Sequence, residues 1–139
     1  MISAVNEFIL YDDMRYTRPD LRNRDQVKTP QGVQRLMVPV KVKGKHLQLI
    51  RETEIDGDVW AESHWKTLTA NYRRAPPFDE VGAWPAAFYL QRRHAMLRDL
   101  NRTFIEAICA YLGIGTRLTA VSDYRLVQAA QLRGRSGLP

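Results

Sequence analysis

The sequence predicts a single α/β domain with a small mixed sheet and three helices. Three observations carry that prediction. A short, β-prone run stands near the N-terminus, from Ala4 to Tyr11, and its second half is continuously apolar. One clear amphipathic stripe extends from Leu97 to Leu112. Gly113 then breaks that helix, and Arg117 to Val121 follows as a β-prone run, a helix–glycine–strand join typical of α/β packing. The chain has 139 residues, which fits one domain. A chain of this length hides roughly two-thirds of the surface that its unfolded form exposes, so it needs no staples.

Taken in order, the run from Ala4 to Tyr11 is stopped by Asp12-Asp13 and reads as a buried strand. The polar stretch from Asp12 to Gly32 carries Pro19 and Pro30 and no apolar period. It reads as a long ordered loop with a short helical turn after Pro19, and such loops are often functional. Val33 to Val42 is β-rich and reads as a second strand. Pro39 has no amide hydrogen, which confines that strand to an edge or interrupts it. Lys43-Gly44-Lys45 makes a turn, after which His46 to Glu54 alternates and is expected to return as the hairpin partner.

Asp58 is placed to cap a helix with its carboxylate. Trp60, His64, Leu68 and Tyr72 then recur at helical spacing, and the helix must end before Pro76. Asp79 is expected to cap a second helix that carries Val81, Trp84, Phe88 and Tyr89. Gly82 and Pro85 shift its effective start toward Trp84-Pro85. The third helix aligns Leu97, Leu100, Phe104, Ile105, Ile108, Tyr111 and Leu112, and places Phe104 and Ile108 at the packed centre. Residues 1–127 form the expected domain. Residues 128–139 lose all periodicity and read as a disordered tail.

Composition narrows the function classes. The hydrophobic share of 45% and charged share of 26% are those of a globular protein. Cys109 is the single cysteine, so neither an internal disulfide framework nor a cysteine-based zinc site can form, and a reducing, cytoplasmic setting is expected. No apolar run approaches the roughly 20 residues that span a bilayer. The net charge of +6 favours an anionic partner. The excess is local: Arg35, Lys41, Lys43, Lys45 and Arg51 follow one another with no acidic residue between them. Lysines of this kind either block a sheet edge or build an anion site.

No GxGxxG, P-loop, HExxH or GxSxG motif is present, and no cofactor is implied. His46, His64 and His94 lie on three different elements, so no metal site is expected. Asp12 and Asp13 directly follow a strand, where ligands of open α/β sheets bind. They are candidate catalytic carboxylates, or else turn formers. His64 is a third catalytic candidate, although its place on the stripe with Trp60 and Leu68 also suits a core histidine. Arg22, Arg24 and Lys28 are candidate phosphate or anion ligands, since guanidinium forks match phosphate. Their alternative is local ion pairing with Asp12, Asp13, Asp20 and Asp25. Asn23, between the arginines, is expected to point inward and bond the backbone.

The segments 8–32, 36–45, 50–56, 64–81 and 100–118 together resemble the WbqC-like family. The run from Asp12-Asp13 through Arg22-Asn23-Arg24 to Thr29-Pro30-Gln31-Gly32 is the most specific part of that likeness. The resemblance implies a bacterial protein linked to O-antigen, lipopolysaccharide or other surface-polysaccharide biosynthesis. It suggests an aminoacyl or acyl transferase, or an inactive remnant of one, acting on an anionic activated sugar such as a nucleotide sugar. Members of the family commonly begin upstream of the position of Met1 and continue past that of Val127. The chain is therefore expected to be a partial version of a larger α/β fold, with an unpaired edge beside Phe8 to Tyr11 that favours self-association. The alternative is a non-catalytic basic module for nucleic acid, which needs aromatics exposed along a basic groove. Trp60, Trp65, Phe104 and Tyr111 sit instead on helix stripes.

Overall fold

A computed structural model describes residues 1–17, 21–45, 47–91 and 93–124. The expected tail, Pro19 with Asp20 at the head of the expected turn, and His46 lie outside them; the described residues resume at Leu21-Arg22, which form a turn. The described strands are β1 (Glu7–Leu10), β2 (Arg24–Thr29), β3 (Gly32–Met37) and β4 (Arg117–Ala120). The α-helices are α1 (Val59–Tyr72), α2 (Phe78–Val81), α3 (Ala83–Gln91) and α4 (Leu97–Tyr111). Parallel and antiparallel strands combine with helices, so the fold is α/β.

The first and last strands pair in parallel, with Glu7 opposite Arg117 and Leu10 opposite Ala120. Glu7 pins this pair: its carboxylate accepts from Thr119 Oγ1 at 2.9 Å and from the Tyr124 hydroxyl, and it meets Arg117 at 3.1 Å. Those partners, Tyr124 first, hold the Glu7 carboxyl below its ordinary value. β1 was expected to be buried but is only half covered, with Ile9 45% exposed. Its one ladder partner among the described residues is β4, so its other edge gains no cover from the sheet.

The stretch expected as one long loop contains β2. Arg24–Thr29 pairs antiparallel with β3 across a turn at Pro30-Gln31, where Gly32 adopts a φ of +117°. The alternation of Arg24, Gln26 and Lys28 with Asp25, Val27 and Thr29 leaves polar side chains on both faces. A hydrophobic period cannot reveal such a strand, because its backbone ladder supplies the order. β3 ends at Met37, before Pro39. The segment beyond it does not form the expected hairpin with 46–54. Val40 makes a single bridge with Ile55, and Ile50–Glu52 coils into a short 3-10 turn.

α1 starts where its periodicity placed it, but the Asp58 carboxylate does not cap it and pairs with Arg93 instead. The second predicted helix is divided into α2 and α3 at Gly82, and Asp79 lies inside α2 rather than capping it. α4 ends at Tyr111, and Gly113, just past its C-cap Leu112, reverses the chain with a φ of +66°.

The core joins Tyr16, Ile55, Phe88, Leu97 and Leu100, with Trp60, Tyr89 and Phe104 packed around them. It gathers at the N-terminal half of α4. For that reason the expected centre shifts: Phe104 is half-buried against Phe88, with ring centroids 4.1 Å apart, while Ile108 is 39% exposed. Leu97, Leu100 and Cys109 are the buried residues of α4. Leu97 is fully buried, as is Thr53, whose carbonyl accepts from Leu97 N at 2.9 Å.

Candidate functional site

The parallel pair ends at Leu10 and Ala120. Two residues further on, Asp12 and Ser122 meet. Asp12 is 4% exposed. Its Oδ2 accepts from Ser122 Oγ at 2.8 Å, and its Oδ1 accepts from the Ser122 amide at 3.3 Å. Arg98, in the first turn of α4, reaches Asp12 Oδ2 at 3.4 Å and Asp99 at 3.3 Å. Asp123 turns back to accept from the Ala120 amide at 2.9 Å. These groups surround a cleft of about 580 Å³, which Leu10, Ile50 and Ile105 line together with Arg22, Arg98 and Arg102.

α4 supplies half of the polar wall through Arg98, Asp99, Asn101 and Arg102. Arg98 and Arg102 are one turn apart on the side that α4 turns from the core. Arg102 donates to Glu106 Oε1 at 2.8 Å and to the Leu118 carbonyl at 3.3 Å, so it is fixed between its own helix and β4. Asn101 donates to the Arg22 carbonyl at 3.0 Å, and Arg22 Nη1 donates to the Arg15 carbonyl at 2.9 Å. The loop before β2 is thereby clamped to the helix.

The sequence-predicted residues divide between several places. Asp12 and Arg22 share this cleft. Asp13, its neighbour, lines neither this cleft nor the second one. Its carboxylate lies 3.4 Å from Arg51 Nε, and consecutive side chains diverge at this turn. Asn23 is buried and donates to the Val38 carbonyl at 2.8 Å, while Val38 donates back to the Asn23 carbonyl at 2.8 Å. Arg24 and His64 line a second cleft of about 420 Å³, which also borders Arg22. His64 lies 3.1 Å from the Met37 carbonyl and edge-on to Trp60 at 5.2 Å. Its burial pushes the imidazole pKa down. Lys28 is exposed and borders neither cleft; its backbone carbonyl accepts from the Tyr72 hydroxyl at 2.8 Å.

Ser122, Arg98, Asn101 and Arg102 were not singled out by sequence. A signal existed for Ser122: Val121-Ser122-Asp123 follows a strand just as Tyr11-Asp12-Asp13 does, and the rule for strand ends applies to both. Among the described residues, no three His, Cys, Asp or Glu side chains stand together as a metal ligand set, and no helix is long and apolar enough to cross a membrane.

Fold and cleft together define an α/β domain with a charged cleft at the carboxyl ends of a parallel strand pair. The chain belongs to the WbqC-like protein family, whose model matches residues 1–135. It is 52% identical over 126 residues to the uncharacterized protein Rv1507c of Mycobacterium tuberculosis, a match that covers 91% of this chain. The match covers 54% of that protein, so the chain spans about half of the relative's length. No solved structure matches the chain.

Proposed function

We propose that the Asp12–Ser122 cleft binds an anionic activated sugar, such as a nucleotide sugar, and supports aminoacyl or acyl transfer in bacterial O-antigen or other surface-polysaccharide biosynthesis. One observation carries the reading: a buried carboxylate held by a serine hydroxyl faces a cleft that three arginines also line, at the position where α/β sheets bind ligands. Arg22, Arg98 and Arg102 supply forked donors for phosphate. Asp12 orients the acceptor group. An acceptor hydroxyl or amine attacks the acyl carbonyl carbon and passes its proton to Asp12. The bond from that carbon to the leaving group then breaks, and the leaving group departs with the electron pair. In this scheme Asp13 positions the turn through Arg51, and His64 supports the neighbouring cleft through Met37 and Trp60.

The test is a calorimetric titration of the full chain with nucleotide sugars and with single-stranded RNA, each at two salt concentrations. The reading expects saturable nucleotide-sugar binding that Arg98→Ala and Arg22→Ala weaken. RNA binding that falls steeply with salt, without sugar-nucleotide binding, would overturn it in favour of a nucleic-acid module.

A further inference from the structure

The two clefts meet at one wall. Arg22 and Asn101 line both, joined by the 3.0 Å bond from Asn101 Nδ2 to the Arg22 carbonyl. Beyond that wall the chemistry changes. The second cleft is bounded by Trp60, Trp84, Tyr89 and Phe104. Trp84 stands edge-on to Phe104 with ring centroids 6.3 Å apart, and Tyr89 stands edge-on to Phe104 at 5.8 Å. Burial among these rings pushes the Tyr89 hydroxyl up to about 12, so it stays a neutral donor.

Two polar atoms of this cleft's residues, Asn23 Oδ1 and Trp84 Nε1, are buried and have no hydrogen-bond partner among the described residues. Buried polar atoms are ordinarily paired, and here an acceptor and a donor are both left over on residues that line the same cleft. A ligand that answers both must be flat enough to lie among rings and must carry a donor and an acceptor on its edge. An acyl chain carries neither. Every nucleobase carries both, and its faces stack on aromatic side chains.

We propose that the second cleft is the base subsite for a nucleotide-activated sugar. The base lies against Trp84, Tyr89 and Phe104, the phosphates cross the wall over Arg22, and the sugar reaches Asp12 and Ser122. This inference rests on the reading of the first cleft as the sugar site. Asn23 Oδ1 and Trp84 Nε1 are closed off from solvent, so the base reaches them only as side chains of the cleft shift, and binding is coupled to that shift.

The experiment compares the four common nucleoside diphosphates with inorganic pyrophosphate, on the full chain and on its Trp84→Phe variant, which keeps a ring but lacks the N–H. The best nucleotide should bind at least tenfold more tightly than pyrophosphate. Trp84→Phe should remove most of that difference and leave pyrophosphate binding unchanged. In the unsubstituted protein labelled with nitrogen-15, the Trp84 indole signal should shift with the nucleotide and stay put with pyrophosphate, which keeps the test open if the variant folds poorly. Equal binding of nucleotide and pyrophosphate, or an indole signal indifferent to the base, overturns the base subsite and leaves the anion cleft standing. Failure of nucleotides and pyrophosphate alike to bind removes the anionic-sugar reading and this proposal with it.

Discussion

Ser122 Oγ donates to Asp12 Oδ2 at 2.8 Å across 110 residues of sequence, and both residues line the cleft. Asp12 is nearly enclosed, so its hydrogen bonds run through little water. Replacing Asp12 by Asn should cost about 1.5–3 kcal/mol of stability, the range of hydrogen bonds to a charged group. Ser122→Ala should cost about 1 kcal/mol, and the double variant less than the sum, by roughly 0.5 kcal/mol or more. Urea unfolding of the four proteins measures this coupling. Strict additivity would show that the contact carries no energy.

Arg22→Ala should weaken phosphate-ligand binding by about 1.5–3 kcal/mol, the scale of a charge-assisted hydrogen bond. Arg24→Ala should act on ligands that enter the second cleft, which Arg24 borders. Lys28→Ala should leave both unchanged, since Lys28 lines neither cleft. Calorimetry with pyrophosphate and with a nucleotide sugar separates the three. A loss on Lys28→Ala equal to that on Arg22→Ala would show a diffuse basic face instead of a cleft.

Acid should reveal His64. Its folded pKa lies below the unfolded value of about 6.5, because burial disfavours the imidazolium. The unfolded chain therefore takes up the proton first. Stability contributed by the neutral ring is complete above about pH 6.5 and is lost as the pH falls below it. In His64→Gln, the melting midpoint should fall less between pH 7.5 and pH 5 than in the unsubstituted protein. Parallel pH profiles for the two proteins would contradict this.

Leu97→Ala should destabilise the fold by about 2–5 kcal/mol, since it opens a cavity where no solvent reaches. Ile108→Ala, on the same helix but 39% exposed, should cost well under half of that. Comparable losses from thermal unfolding of both variants would place the core further along α4 than the structure does.

Both long helices were legible because each buries one stripe: Trp60, His64 and Leu68 on α1, and Leu97 and Leu100 on α4. β1 was legible as an apolar run stopped by Asp12-Asp13, and β4 as a β-prone run after Gly113. β2 was hidden because Arg24, Gln26 and Lys28 alternate with residues that are also mostly polar, so only its ladder with β3 defines it. Burial within α4 was misjudged at Ile108, because a stripe shows which side faces inward but not how far the core extends along it. In the site, Asp12 could be read from its place after a strand. Arg98 and Ser122 lie 86 and 110 residues away from it, and only the packing of α4 and the register of β1 on β4 bring them there.

The register of β1 on β4 also sets the order in which the molecule assembles. The β2–β3 hairpin closes over a two-residue turn, and α1 to α4 follow one another locally, so their contacts form early. Matching Glu7 to Arg117 requires closing a loop of more than a hundred residues, a search that local structure must shorten before it succeeds. The main apolar cluster contains no residue of either strand. The parallel ladder is thus expected to lock last and open first, and Asp12 and Ser122 lie at its end. Native-state hydrogen exchange should find the β1 and β4 amides less protected than those around Leu97 and Leu100. The cleft would then come and go through local opening while the helices stay folded, and the population of its closed form would limit how tightly any ligand can be held.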